Sequence, residues 1–248
     1  MNPPRLRQDQ LANRLRLIIS SDVSEGLIAV AQIPDLELLT TSEAAVVAGV
    51  EVRDVNRLID ENILPAELYS VENTRRVRAG ACALVRFYYG SAELLTANER
   101  RGAITHLCTE AKSKHHSWAI KRWRTAKPNW TYHHLFMTLN FDKFIEETIE
   151  GHERLEKARE IVVEDPGILS GTPVIKGTRV SVYDVAASAA SGLSVAEIRE
   201  DYPSLSEDRI ELAILYAKST PPRGRPKAAA APGKRRMISR RVYSRRAV

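Results

Sequence analysis

The stretch LLTTSEAAVVAGVEVRDVNRLIDENILP, residues 38–65, decides how the chain is organised. Thr40 followed three positions later by Glu43 makes a capping box, in which each side chain takes up a backbone N–H of the other residue where a helix starts. The apolar residues 44–48 continue that helix, and Gly49 breaks it. A second helix is predicted over residues 52–61, turning Val55, Leu58 and Ile59 inward, with Pro65 just beyond its end. The expectation is a short helix, a tight turn and a second short helix.

The flanks extend this unit. Residues 66–79, AELYSVENTRRVRA, predict a hairpin with Glu72, Asn73 and Thr74 at the turn and Arg75, Arg76 and Arg78 on the returning strand. Residues 80–90, GACALVRFYYG, predict a packing helix in which Cys82 is a buried thiol. Upstream, residues 5–19 place Leu6, Leu11, Leu15, Ile18 and Ile19 near helical spacing with Arg and Gln on the other side, so residues 1–37 are read as a helical arm that docks.

Helix, Gly-containing turn, helix and basic hairpin over residues 38–90 resemble a winged helix-turn-helix of the MerR and excisionase type. The resemblance implies operator DNA as a partner, with the second helix in the major groove and the hairpin against phosphate. Arg53, Asn56 and Arg57 are the polar residues expected on the exposed face of that helix, and Arg75, Arg76 and Arg78 serve the wing. The bland alternative is a packing module, which the acids Asp54, Asp60 and Glu61 favour.

Composition bounds the rest. The chain has 248 residues, 44% of them apolar, and two cysteines, Cys82 and Cys108, too few for a disulfide framework. No window approaches the roughly 20 apolar residues of a membrane helix and no signal peptide is evident, so a cytoplasmic protein without a membrane partner is expected. The net charge of +6 is unevenly placed: residues 219–248 carry ten Lys or Arg and no acid, leaving 27 bases against 31 acids in the remainder. A basic arm on a mildly acidic body suits a polyanion or an acidic protein surface, although a solvated tail is the plainer reading.

Residues 91–160 are read as a linking region with helices and a strand. Trp118, Trp123 and Trp130 interleave with Lys121, Arg122, Arg124 and Lys127. That pattern has two readings, a base-stacking surface or a core, and a core is the commoner. His115, His116, His133, His134 and Cys108 match no standard zinc spacing, so no metal and no cofactor are expected.

From residue 161 the chain reads as a short strand, a Gly- and Pro-rich crossing, a second strand and three helices. Ser194 with Glu197 and then Ser206 supply caps. Asp165, Pro166, Gly171, Pro173 and the triplet Gly177, Thr178, Arg179, followed by Tyr202 and Pro203, resemble a bacterial domain family of unknown function widely treated as VapB-type antitoxins of PIN-like ribonuclease toxins. Residues 161–218 are thus expected to be a trihelical, helix-turn-helix-like domain whose motif residues are structural; no nucleophile, base and orienter occur together, so no enzyme is expected.

The tail, residues 219–248, holds two pieces. Arg223-Gly-Arg225-Pro is the core of an AT-hook, in which glycine lets the backbone approach the floor of the minor groove. Met237, Ile238, Val242 and Tyr243 alternate with the pairs Arg240/Arg241 and Arg245/Arg246, an arm suited to an acidic groove. The resemblance implies that this arm occupies the carboxylate-lined, metal-binding centre of a PIN-like toxin.

The expected protein is mainly α with small β elements: a winged helix-turn-helix domain, a trihelical C-terminal domain and a basic extended tail. Its expected function is that of an antitoxin that neutralises its toxin through the tail and represses its own operon as a homodimer on DNA. Two rivals stand: a stand-alone regulator with an AT-hook-like tail, and an RNA-binding or RNA-processing enzyme using the His and Trp region.

Overall fold

The computed structural model of the chain describes residues 38–114, 117–134 and 137–222. Helix α1 (Thr41–Ala48) begins at its capping box: Thr40 Oγ1 accepts from the Glu43 N–H at 3.3 Å and Glu43 Oε2 accepts from the Thr40 N–H at 2.8 Å. It ends at Gly49, where φ is 68°, and after Val50 and Glu51 the chain enters α2 (Val52–Asp60) with Val55, Leu58 and Ile59 buried as the spacing requires. Strand β1 (Leu38–Thr40) pairs antiparallel with β3 (Arg76–Arg78), and the other edge of β3 pairs with β2 (Tyr69–Ser70). Only the β2–β3 hairpin was expected. Strand β1 adds a third strand because the residues leading into α1 lie alongside β3, opposing Leu39 to the buried Val77.

Helix α3 (Cys82–Gly90) is buried along most of its length, and α4 (Ala97–Ser113) opens with a further capping box between Thr96 and Glu99. The short α5 (Ile120–Trp123) and the antiparallel pair β4 (Thr131–His134) and β5 (Met137–Asn140) follow, a hairpin where one strand was expected. Helix α6 (Asp142–Glu160) is the longest element among the described residues.

Residues 91–160 pack against the segment before them. Ile104, Leu107, Trp123, Trp130, Phe141 and Ile145 lie in the same core as Val55, Leu58, Leu84 and Phe87. One cause is the aromatic cluster: Trp118, Trp123 and Trp130 sit 4.9–6.4 Å apart by ring centroid, and Trp123 and Trp130 are each 2% exposed. Burying two indoles stabilises the body by several kcal/mol each, on the order of 3 to 5 by truncation. A base-stacking surface is thereby replaced by a core.

Helix α6 carries Ile145, Ile149 and Leu155 into this first core and Ala158 into a second. The second core belongs to β6 (Val162–Val163), β7 (Val174–Ile175), α7 (Val182–Ala190), α8 (Val195–Asp201) and α9 (Glu207–Ser219), with Val182, Val185, Ile198, Leu205 and Ile210 inside it. Ser194 and Glu197 form the expected capping box and Ser206 caps α9. Helix α9 packs back on α6 and α1, so the two cores lie side by side. The protein is mainly helical with small antiparallel sheets, and no helix among the described residues is long and apolar enough to cross a membrane.

Candidate nucleic-acid interface

The outward face of α2 carries Arg53, Asn56, Arg57, Asp60 and Glu61, spaced three and four apart as one helical face requires. Its inner face is fixed by Val55, Leu58 and Ile59, and α3 buttresses it where the Tyr89 hydroxyl donates to the Asp54 carbonyl at 3.0 Å. Partial burial, with the Asp54 carboxylate nearby, pushes the Tyr89 phenol up to about 12. On β3, Val77 points into the core while Arg76 and Arg78 face out. Arg78 Nε donates to the Glu67 carbonyl at 2.9 Å, tying the hairpin to the turn before β2.

Of the residues expected to meet DNA, the fold brings Asn56 and Arg75 into direct contact. Arg75 forks onto Asp60, Nη2 to Oδ1 at 2.7 Å and Nη1 to Oδ2 at 3.2 Å, and the same Nη1 donates to Asn56 Oδ1 at 3.1 Å. Arg57 Nε donates to Glu61 Oε1 at 2.6 Å, and the other Glu61 oxygen lies 3.3 Å from Arg101 Nη2. That hydrogen bond and the carboxylate's charge raise the pKa of the Arg57 guanidinium. Arg53 and Arg76 are exposed and make no ion pair with any described residue. Arg101, on α4, is the member sequence reasoning missed: it stands 40 positions from Glu61, and no local pattern links them.

A groove of about 1120 Å³ separates the α1–α2 turn from α6 and α9, with Val46, Val50 and Val52 on one wall and Arg154, Ile214 and Leu215 on the other. Lys218 sits at its edge, four residues before the described chain ends at Pro222. The tail residues Arg223, Arg225, Met237, Ile238, Arg240, Arg241, Val242, Tyr243, Arg245 and Arg246 lie outside the described residues, as do the arm at residues 1–37 and His115 and His116. His133 and His134 are exposed on β4, while Cys108 is buried in α4 and its thiol is pushed up to about 12 by burial.

The motif residues of the C-terminal domain organise turns. Asp165 Oδ1 accepts from the Gly167 N–H at 2.8 Å, and Pro173 O accepts from the Val182 N–H at 3.1 Å, joining β7 to α7. Thr178 Oγ1 donates to Ile175 O at 2.7 Å and accepts from the Val180 N–H at 3.1 Å. Gly171 and Gly177 have φ of 82° and 79°, a region that side chains other than glycine resist. Arg179 is exposed. These contacts hold a ladder against a helix.

An uncharacterized protein, y4eO, of Sinorhizobium fredii is 47% identical over 190 residues, covering 76% of this chain and 84% of that protein. The chain belongs to the family of y4eO. Residues 162–217 match the model of a protein family of unknown function, DUF433, which begins at β6 and ends within α9. A crystal structure of Rv2018 from Mycobacterium tuberculosis aligns with 73% of this chain and 98% of its own at 16% identity, with a TM-score of 0.31, a likeness too slight to argue from.

Proposed function

We propose that this member of the y4eO family is a non-enzymatic antitoxin. Residues 38–90 bind operator DNA as a winged helix-turn-helix, and residues 219–248 occupy the carboxylate-lined centre of a PIN-like ribonuclease. The observation that carries the DNA half is the outward face of α2, where Arg53, Asn56 and Arg57 stand together and Asn56 accepts from Arg75, just before the strand β3 that bears the exposed Arg76 and Arg78, while Val55, Leu58, Ile59 and Val77 turn inward. A helix that offers polar side chains three and four apart beside a basic hairpin fits the division of labour in such modules, base edges to the helix and phosphates to the wing.

The antitoxin half is supported by the motif at residues 165–179 within the DUF433 segment and by the ten bases of residues 219–248. Arginines entering a cluster of metal-holding carboxylates displace the cation by charge-assisted hydrogen bonds. The reading as a stand-alone regulator draws on the Arg223-Gly-Arg225-Pro sequence and on Lys218, which flanks the groove beside the start of α2. In either case the protein works in the cytoplasm as a homodimer, matching two half-sites about one helical turn apart.

The test is binding of the purified protein to the duplex upstream of its own gene, combined with co-purification and ribonuclease inhibition with the product of the adjacent gene. Retarded DNA plus a co-purifying, inhibited nuclease is the antitoxin outcome. Retarded DNA with no nuclease partner selects the stand-alone regulator, and no retention of any duplex ends the DNA-binding reading.

A further inference from the structure

We propose that Asp60 and Glu61 are built-in competitors of DNA phosphate, withholding Arg75 and Arg57 from random sequence until a target duplex takes them. The inference rests on the DNA-binding reading above and names how that surface discriminates. Asp60 presents both carboxylate oxygens to the fork of Arg75, at 2.7 and 3.2 Å, the arrangement by which a guanidinium also grips a phosphate. Glu61 is shared between Arg57 and Arg101, at 2.6 and 3.3 Å.

The position of these acids needs an explanation that fold stability does not supply. Asp60 is the last residue of α2 and Glu61 its C-cap, the end of a helix where a negative charge is disfavoured by the partial charge of the free carbonyls. The pairs are also open to solvent, Arg75 and Asp60 at 41% and 57% and Arg57 and Glu61 at 66% and 37% side-chain exposure, a setting in which an ion pair adds little stability. Exposure makes them breakable. Their placement among Arg53, Asn56, Arg57 and Arg75 makes them costly to any passing polyanion.

Binding to random DNA is nearly all phosphate contact, each one steepening the fall of log K with log salt by about 0.9. With Arg57 and Arg75 held by carboxylates, a random duplex gains only from unpaired cations such as Arg53 and Arg76. A target duplex adds base-edge contacts through α2, which hold it close enough for phosphate to replace the carboxylates. The acids thus lower affinity for the wrong sequence more than for the right one, specificity obtained by repulsion as well as by fit.

The experiment compares the wild-type chain, Asp60→Asn, Asp60→Asn with Glu61→Gln, and Glu72→Gln on two probes across a salt series: the duplex upstream of its own gene and a random-sequence duplex of equal length. Glu72 lies in the hairpin and is exposed without an ion pair among the described residues, so its change removes one charge and frees no arginine. The double variant is expected to bind the random duplex on the order of tenfold tighter, with a slope steeper by about 2, while the slope on the upstream duplex stays as it was. Asp60→Asn alone gives about half the change in slope, and Glu72→Gln leaves it unchanged. Random-duplex slopes that stay at the wild-type value, or that move equally with Glu72→Gln, overturn the proposal while DNA binding stands. A wild type that binds neither probe overturns the DNA-binding reading itself.

Discussion

Glu43 and Arg159 meet across 116 positions of sequence, Arg159 Nη2 lying 2.6 Å from Glu43 Oε1. The other Glu43 oxygen closes the capping box of α1, so one carboxylate both starts the first helix and receives the last turn of α6, where the chain passes into the second core. Arg159 is 43% exposed and Glu43 only 13%. The capping bond is therefore the larger contribution, about 1 kcal/mol, with the ion pair adding less than that. Glu43→Ala should cost roughly 1 to 2 kcal/mol and Arg159→Ala under about 1 kcal/mol in denaturant unfolding. A double-mutant cycle should return a positive coupling; a coupling of zero removes the ion pair from the account.

Gly151 sits in the middle of α6, where an ordinary helix gains up to about 1 kcal/mol when glycine becomes alanine. Here a Cβ at 151 would meet the Val47 carbonyl oxygen at 2.6 Å, backbone of α1 that has no rotamer to yield. The sign of the substitution should invert, with Gly151→Ala destabilising by about 1 to 3 kcal/mol as α1 is forced off α6. Thermal unfolding at a raised midpoint would show that the two helices do not approach so closely.

His152, next along α6, is 2% exposed. Its Nδ1 lies 3.2 Å from Arg124 Nη2, which has only protons to offer, so Nδ1 accepts and the ring is neutral with its proton on Nε2. Burial is the main cause that lowers its pKa below 6.5; Glu156 opposes the shift and Arg124 adds to it. A histidine depressed in the folded state leaves stability intact above pH 6.5, and stability is lost as the pH falls from there through the folded value, because the unfolded chain takes up the proton first. The melting temperature should therefore drop between pH 7.5 and the acid side of 6.5, and His152→Gln should flatten that slope. Equal slopes in the two proteins would assign the acid sensitivity to other groups.

What could be read in advance was local. The caps at Thr40 with Glu43 and at Ser194 with Glu197 join residues three apart, and the inward Val55, Leu58 and Ile59 follow one helical period. The pairing of Leu39 with Val77 escaped notice because a three-residue strand has too few positions to show alternation, and its partner lies in another segment. The sequence of helix α6 is dominated by Glu146, Glu147, Glu150, Glu153 and Glu156. Its narrow apolar face of Ile145, Ile149 and Leu155 becomes legible only when α1 and α3 are laid against it. The acids of α2 were visible as an objection to DNA binding. Their engagement with Arg75 and Arg101, 15 and 40 positions away, is a tertiary fact that spacing does not contain.

That engagement divides the arginines of the candidate interface into two classes with different expected behaviour. Arg53 and Arg76 are unpaired among the described residues, so each is available to any duplex. Replacing either by alanine should weaken binding to random and upstream DNA alike and lower both salt slopes by about 0.9. Arg75 is already neutralised by Asp60, so removing the pair together, Arg75→Ala with Asp60→Asn, should leave random-duplex affinity and slope close to wild type and reduce only the affinity for the upstream duplex, by the contact made when phosphate replaces the carboxylate. Fluorescence anisotropy titrations of the three variants at several salt concentrations separate the classes. A uniform loss across all three on both probes would mean that the ion pair to Asp60 opens freely, and that all of these arginines act as one undifferentiated basic surface.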